Sequence, residues 1–176
     1  MSTRTVLQEA DISRGLTRIA HEILESNRGA ENLVLLGIPT RGVTLAHRLG
    51  TLISGIAQQS VPVGALDVTL FRDDLSKHPT RSPRPTEIPV GGIDGKTVVL
   101  VDDVLFSGRS IRAALDAIQS IGRPAVVRLA ILVDRGHREL PIRPDFVGKN
   151  IPSARTERVN VRLFETDGAE EVTIGA

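Results

Sequence analysis

The sequence has no cysteine, tryptophan or tyrosine among its 176 residues, and aromatic residues make up only 2% of it. The missing cysteines exclude a disulfide framework, a thiolate metal site and a cysteine nucleophile. Because aromatic rings are so few, the stacking platforms that hold unpaired nucleic acid strands are scarce. The formal net charge is only +1, so a nucleic acid site would have to be a local basic patch.

Long hydrophobic runs are also missing. No stretch has the length of a membrane-spanning helix, and the polar start MSTRTVLQEADISRG has no hydrophobic region of the signal-peptide kind. We therefore expect a cytoplasmic protein with no membrane partner. The length is that of a single domain, 1–176, and it is large enough to bury a real core.

Strand-like apolar runs alternate with segments of helical periodicity along the chain. A first helix is predicted through Ile12, with Asp11 or Ser13 as its N-cap and with Asn27 and Gly29 as its end. Strands are predicted at 33–38, 66–70, 98–101, 126–133 and 159–163, and further helices through 45–49 and at 111–121. Repeated strand–helix units predict an α/β fold with a central, mainly parallel sheet flanked by helices on both faces.

Two segments interrupt this alternation. Residues 72–92 are charged and proline-rich and exceed an ordinary connection in length, so they form either a lid or a disordered linker. Residues 134 to about 158 show no regular pattern. Gly95-Lys96-Thr97 imitates the end of a nucleotide-binding P-loop, but the lysine leads into a strand rather than a helix, which predicts a plain turn.

The most informative segment is 98–110, VVLVDDVLFSGRS. Ligands of open α/β sheets bind beyond the carboxyl ends of the strands, and N–H groups at a helix start can hold a phosphate. Two adjacent carboxylates, Asp102 and Asp103, suit neighbouring sugar hydroxyls or a Mg²⁺ ion. A ribose 5-phosphate matches both features, although an Asp-Asp pair taken alone is more often a solvated turn.

This segment resembles the 5-phosphoribosyl diphosphate signature of the type I phosphoribosyltransferases. The resemblance implies their fold, with a small hood at about 134–158 and a mobile lid loop at about 72–92. It implies that Asp102 and Asp103 hold the ribose hydroxyls, with Mg²⁺ bound through ribose or water, and that 107–110 cradle the 5-phosphate. Residues 39–42 match the loop that contacts pyrophosphate, where a strained peptide bond is expected; taken alone, they read as an ordinary turn with a solvated arginine.

The identity of the base depends on Phe106. Purine-salvage members of this fold generally carry an acid at that position, and a phenylalanine has no proton to give or take. A pyrimidine is therefore favoured. Orotate transferases usually close a lysine-rich loop over the site, whereas this chain offers Arg72, Asp73, Asp74 and a single Lys77.

Three more strings narrow the family: LTRIAHEI at 16–23, TLFRDDLS at 69–76 and VDRGHRELPIRPDFVGKNIP at 133–152. With the signature they resemble the PyrR family over about 4–165, with Phe106 in place of the more usual tyrosine. The implied activity is that of a uracil phosphoribosyltransferase, which makes UMP and pyrophosphate. The implied catalytic residues are Asp102, Asp103 and Arg72, and the substrate-binding residues are Thr40, Arg41, Gly42, Val104, Leu105, Phe106, Ser107, Gly108, Arg109, Ser110, Arg135 and Val159.

The resemblance also implies a regulator that binds a hairpin in the pyr mRNA leader when UMP is present, as a homodimer or a higher homo-oligomer. The implied RNA contacts are Thr17, Arg18, His21, His137, Arg138, Arg143 and Lys149, with Arg155 as a further candidate. Arg14, Arg18 and His21 share one helical face, which without the family reads as solvated charge. A salvage enzyme without RNA regulation and a sensor without turnover stay open as alternatives, as do the mode of gene control and the role of the tail after Glu165.

Overall fold

A computed structural model describes residues 2–73 and 85–176 of the chain. The elements are β1 (Arg4–Gln8), α1 (Glu9–Asn27), β2 (Leu33–Gly37), α2 (Arg41–Ala57), β3 (Val63–Ala65), a 3₁₀ turn (Thr69–Phe71), β4 (Thr97–Leu105), α3 (Arg109–Gln119), β5 (Val126–Asp134), β6 (Phe146–Asn150), β7 (Arg158–Arg162), α4 (Phe164–Asp167) and β8 (Glu171–Gly175). Most of the predicted lid, including Asp74 and Lys77, lies outside the described residues.

The central sheet contains five strands in the order β3-β2-β4-β5-β6, and every neighbouring pair is parallel. From β2 the chain first adds β3 on one side and then β4 on the other. The strand order therefore reverses between β2 and β4. In an open α/β sheet the crevice at the carboxyl ends of two such strands is the expected ligand site.

Helices cover both faces of this sheet, as the sequence predicts. Leu33 and Leu35 of β2 join the apolar cluster beneath α1 and α2, whereas Val34 and Leu36 join the cluster beneath α3. All four side chains are fully or almost fully buried. A strand buried on both faces reads as a continuous apolar run, which is why β2 and β4 can be recognised in the sequence.

A second, three-stranded antiparallel sheet joins the two ends of the described chain in the order β1-β8-β7. The predicted strand at 159–163 is confirmed as β7, but it belongs to this sheet rather than to the central one. The tail after Glu165 supplies the middle strand, β8, through the buried side chains of Val172 and Ile174.

The predicted start of the first helix is wrong. The helix begins at Glu9 with Gln8 as its N-cap, because β1 runs directly into it. Asp11 lies inside the first turn, where its carboxylate accepts the backbone N–H of Gln8 at 2.9 Å. At the other end Arg28 adopts a left-handed conformation with a φ of 55° and closes the helix.

Three further predictions need correction. The strand placed at 66–70 is observed at Val63–Ala65, because the Asp67 carboxylate accepts the N–H and hydroxyl of Thr69 at 3.2 and 2.7 Å and forms a local turn. The signature strand does not end before Asp102 but continues to Leu105. The region 134–158 is not irregular throughout, since Phe146–Asn150 forms the edge strand β6.

The turn predicted at Gly95-Lys96-Thr97 is confirmed, with the Lys96 N–H donating to the Ile93 carbonyl at 3.1 Å. Among the described residues, no helix is long and apolar enough to cross a membrane.

Candidate active site

Two neighbouring carboxylates lie near the carboxyl end of the central strand β4. Asp102 and Asp103 are partly buried, and each accepts the backbone N–H of the next residue, at 2.9 and 2.8 Å. Burial, followed by the negative charge of Asp103, raises the pKa of Asp102 well above the ordinary carboxyl value, against smaller opposing effects of the hydrogen bond from the Asp103 N–H and of the Arg72 charge. A carboxylate in this environment gains from a cation or from hydroxyl donors.

A phosphate-sized cradle follows β4. The loop turns at Gly108, where φ is +93°, and α3 begins at Arg109. A Cβ atom at Gly108 would also approach Ile142 to 3.0 Å, so that glycine meets both the backbone and the packing requirement. The first N–H groups of a helix have no partner within the helix and can bind an anion. A cleft of about 230 Å³ opens here, lined by Arg72, Asp73, Val104, Leu105, Phe106, Ser107, Gly108, Arg109, Ser110 and Ile111.

Arg109 at the start of α3 contacts two carboxylates. Its Nη1 donates to Asp73 at 2.6 Å and its Nε to Glu139 at 3.2 Å, and these hydrogen bonds raise the pKa of Arg109. Asp73 stands at the base of the predicted lid, beside Arg72. The start of that segment therefore lies against the cradle.

The predicted pyrophosphate loop lies against the acids. The peptide bond between Pro39 and Thr40 is cis. A Cβ atom at Gly42 would lie 2.4 Å from the Val101 carbonyl oxygen and 3.3 Å from a carboxylate oxygen of Asp102. Glycine is required here because any side chain would separate the start of α2 from β4.

The partner of Arg41 is a residue that sequence reasoning missed. The Nε and Nη2 groups of Arg41 donate to the two carboxylate oxygens of Asp167, which lies in α4, at 3.1 and 2.7 Å. Arg41, Asp103, Asp167 and Val159 line one cavity, together with Asn160, Val161, Arg162 and Thr173. On the next turns of α2, Arg48 binds Glu165 and Glu170 at 2.7 and 2.6 Å. The three acids in the tail were the available signal, but their partners lie more than a hundred residues away in the sequence.

The predicted base-binding residue Arg135 is buried and lies over the ring of Phe106, with its guanidinium carbon 4.2 Å from the ring centroid. Arg135 also donates to the Ser153 hydroxyl and the Ala154 carbonyl at 3.1 and 2.9 Å. Burial lowers the pKa of Arg135. The edge of His137 contacts the same ring at a centroid distance of 5.9 Å. Phe106 is thus fixed between two cationic or polar groups.

The predicted RNA contacts fall into two groups. Thr17, Arg18 and His21 are exposed on α1, and Lys149 is exposed on β6, against which α1 packs. Arg18 is also a structural residue, since its Nη2 donates to the carbonyls of Val147 and Gly148 at 2.8 and 2.6 Å. Arg143 and Arg155 are exposed on the loops around β6.

The second group, His137 and Arg138, belongs to the interior of the loop at 137–143. Arg138 binds both carboxylate oxygens of Asp134, at 2.9 and 2.6 Å, and donates to the carbonyls of Phe106 and Ile142 at 3.0 and 2.8 Å. A ring nitrogen of His137 lies 2.6 Å from the Ser153 carbonyl. The resemblance implies RNA contacts for both residues; in the structure both side chains are half-buried and hold the loop against the cradle.

The described residues include no cluster of three or more His, Cys, Asp or Glu side chains that could hold a metal ion. Mg²⁺ seldom needs such a cluster, because it is commonly held by one or two carboxylates and by the phosphates of a substrate. The oxygen donors of Asp102 and Asp103 fit an ion of this kind.

Comparisons with known proteins agree with this geometry. Residues 2–172 match the family described as phosphoribosyl transferase domain. The chain is 68% identical to the "Bifunctional protein PyrR" of Leifsonia xyli over 99% of this chain and 97% of that protein. It is 62% identical to the protein of that name from Streptomyces coelicolor, over 98% and 90%.

Solved structures share the fold at low sequence identity. A hypoxanthine-guanine phosphoribosyltransferase from Bacillus anthracis is 16% identical with a TM-score of 0.74, over 98% of both chains. The hypoxanthine phosphoribosyltransferase of Trypanosoma cruzi, in complex with the product IMP, is 17% identical with a TM-score of 0.73, over 98% of this chain and 93% of that one.

Proposed function

Because the chain belongs to the phosphoribosyl transferase domain family and, within it, to the PyrR family, we propose that it is a uracil phosphoribosyltransferase that also regulates pyrimidine biosynthetic genes by binding their mRNA leader in response to UMP. The observation that carries the proposal is the grouping of three features near the carboxyl end of β4: a cleft over the cradle before α3, a cavity lined by Arg41 and Asp103, and Gly42 packed against Asp102. These parts match a substrate with a ribose, a 5-phosphate and a pyrophosphate.

In the transferase reaction a ring nitrogen of uracil attacks the anomeric carbon of 5-phosphoribosyl diphosphate. The bond from that carbon to pyrophosphate breaks, the nitrogen loses its proton, and UMP is formed. Asp102 and Asp103 stabilise the positive charge that develops on the ribose. The cradle at 107–110 fixes the 5-phosphate, so that catalysis depends on position and charge without a covalent intermediate on the protein.

Asp102 and Asp103 would hold Mg²⁺ through the ribose or through water, and the ion would neutralise charge on the departing pyrophosphate. The loop at 39–42 would bind pyrophosphate oxygens through the Arg41 guanidinium and backbone N–H groups. Phe106, held beneath Arg135, offers an apolar ring and no proton donor to the base, which favours a pyrimidine.

For the RNA surface we propose the exposed face formed by α1 and β6. Its members are Thr17, Arg18, His21 and Lys149, with Arg143 at its edge. Their types suit phosphate contacts and hydrogen bonds to a hairpin more than stacking on unpaired bases. His137 and Arg138 shape the adjoining loop and remain proposed RNA contacts. Since one subunit offers little surface, the binding unit is a homodimer or a higher homo-oligomer.

Hydrogen bonds join the cradle to the loop beside the proposed RNA surface. The Ser107 carbonyl in the cradle accepts the N–H groups of Glu139 and Leu140 at 2.9 and 3.2 Å. Arg138 ties the same loop to the Phe106 carbonyl. A UMP phosphate that orders the cradle therefore orders the 137–143 loop beside the RNA surface, and linkage requires RNA to raise UMP affinity by the same factor.

The test of regulation is titration of the protein into a labelled pyrimidine-leader hairpin at fixed salt, with and without UMP. UMP should tighten binding, and His21→Ala should weaken binding at least tenfold while UMP synthesis continues. His47→Ala, an exposed histidine on α2, is the matched control. An absence of RNA binding in both conditions would leave a pyrimidine salvage enzyme.

The test of catalysis is UMP formation from uracil and 5-phosphoribosyl diphosphate. Replacing Asp102 and Asp103 together by Asn should abolish it while the thermal transition remains cooperative. Full turnover by the double variant would contradict the assignment.

A further inference from the structure

We propose that Asp167 is a positioning residue that orients the Arg41 guanidinium in the pyrophosphate site, an inference that rests on the proposed transferase function. The two side chains form a fork, with Nε to Oδ2 at 3.1 Å and Nη2 to Oδ1 at 2.7 Å. Two parallel hydrogen bonds fix the plane of the guanidinium as well as its location.

The carboxylate of Asp167 is itself firmly held. Oδ2 of Asp167 also accepts the Leu163 N–H at 2.9 Å, and the backbone N–H of Asp167 donates to the Leu163 carbonyl at 2.7 Å. Leu163 is completely buried, and the side chain of Asp167 is only 16% exposed. This pair differs from a surface salt bridge, in which both side chains move freely.

The remaining N–H donors of Arg41 are available to a ligand in the cavity. Among the described residues, Nη1 of Arg41 has no hydrogen-bond partner, and Arg41 lines the same cavity as Asp103 and Asp167. An anion that enters there meets a guanidinium whose orientation is already set. The ordering of a long, flexible side chain then precedes binding instead of opposing it.

The charge of Asp167 and its positioning role have opposite effects on a bound anion. As a nearby negative charge, Asp167 repels pyrophosphate, so its removal would tighten binding. As the group that orients Arg41, Asp167 supports the complex, so its removal would weaken binding. The sign of the change in Asp167→Asn therefore decides between the two effects.

The experiment is calorimetric titration of the full-length protein with pyrophosphate and with 5-phosphoribosyl diphosphate, each with Mg²⁺. The variants are Asp167→Asn, Asp167→Glu, Arg41→Ala and the double variant that combines Arg41→Ala with Asp167→Asn. Glu165→Gln is the matched control, because Glu165 lies in the same turn and binds Arg48 outside the cavity. Thermal unfolding of each variant identifies any loss of folding.

Asp167→Asn should raise the dissociation constant of pyrophosphate about tenfold, Asp167→Glu should raise it less, and Glu165→Gln should leave it within twofold. In the Arg41→Ala background the further Asp167→Asn change should leave the dissociation constant unchanged or lower it, because the oriented group is gone and only charge repulsion remains. The KM for 5-phosphoribosyl diphosphate should rise with the dissociation constant, while the KM for uracil stays within twofold.

Unchanged or tighter pyrophosphate binding by a folded Asp167→Asn variant would overturn this proposal and leave the transferase function standing. An additive effect of the two changes would also overturn it. If the unaltered protein binds neither ligand, the proposed function itself fails, and the inference fails with it.

Discussion

At the scale of single residues, Asp102 shows how function opposes stability. The carboxylate that should meet the ribose lies where burial and its neighbour Asp103 disfavour its charged form. The sequence predicts a site at this pair only through the whole segment 98–110, because an Asp-Asp pair taken alone is more often a solvated turn. The raised pKa could not be predicted, because it depends on how the start of α2 closes over β4 at Gly42.

Replacing Asp102 by Asn should stabilise the protein at neutral pH. The folded-state pKa is raised above the unfolded value of 3.8, so ionisation of this group favours the unfolded state, and stability falls as pH rises between those two values. The melting temperature at pH 7 should therefore rise. Asp116→Asn, an exposed change on α3, should leave it unchanged. An equal rise at pH 3 and pH 7 would contradict this cause.

Arg138→Gln should impair both activities, although the sequence suggests an effect on RNA alone. Burial raises the pKa of Asp134, but the hydrogen bonds from Arg138 hold it below its ordinary value. The change to Gln would leave the partly buried Asp134 carboxylate without its cation. We expect a stability loss of about 1–3 kcal/mol, measured by denaturant unfolding. Arg143→Gln, an exposed arginine on the same loop, is the control and should weaken RNA binding with UMP synthesis intact. Normal UMP synthesis by Arg138→Gln would show that the loop does not support the cradle.

At the scale of elements, the strand–helix units that form the site could be predicted and the edges could not. β2 and β4 are apolar runs buried on both faces, and Gly108 precedes α3 as a clear turn residue. The edge strand β6 was missed because only Phe146 of its five residues is buried. The strand β8 was missed because its partners β1 and β7 come from distant parts of the chain. Periodicity reports burial, and a half-exposed strand at an edge carries little of it.

The start of α2 offers a test of close packing. Gly42→Ala places a Cβ atom 2.4 Å from the Val101 carbonyl oxygen and should push the pyrophosphate loop away from β4. We expect a stability loss of about 1–3 kcal/mol and loss of most UMP synthesis. Gly55→Ala, in the same helix with nothing within 4 Å of its Cβ position, should instead stabilise the protein by about 0.5–1 kcal/mol. Equal effects of the two variants on unfolding would argue against the proposed steric conflict.

At the scale of the whole molecule, two arginines of α2 connect the central sheet to the small sheet. Arg41 binds Asp167, and Arg48 binds Glu165 and Glu170. No sequence pattern predicts these ion pairs, because each arginine also fits a solvated helix face. These ion pairs are evident only in the folded structure, where the tail before β8 lies against α2. The α4 turn between β7 and β8 therefore lines the candidate site together with residues of the small sheet.

This connection should make stability depend on acid pH. The hydrogen bonds from Arg41 lower the pKa of Asp167 below the ordinary 3.8. The stability that this pair contributes is therefore fully present above pH 3.8 and is lost as pH falls through the lowered pKa. Asp167→Asn should flatten the acid part of the curve of melting temperature against pH, whereas Asp116→Asn should not. An unchanged slope would show that Asp167 titrates alike in the folded and unfolded states.

The position of β8 between β1 and β7 sets an order of events during synthesis. All strands of the central sheet lie within 33–150, so that sheet can form while the tail is still in the ribosome. β1 has to wait for 171–175, because β8 is the strand to which it is hydrogen-bonded. The ion pair of Arg41 with Asp167 waits for the same stretch. A nascent chain would thus acquire its central sheet first and the Arg41–Asp167 pair last, with the amino-terminal strand unpaired in the interval.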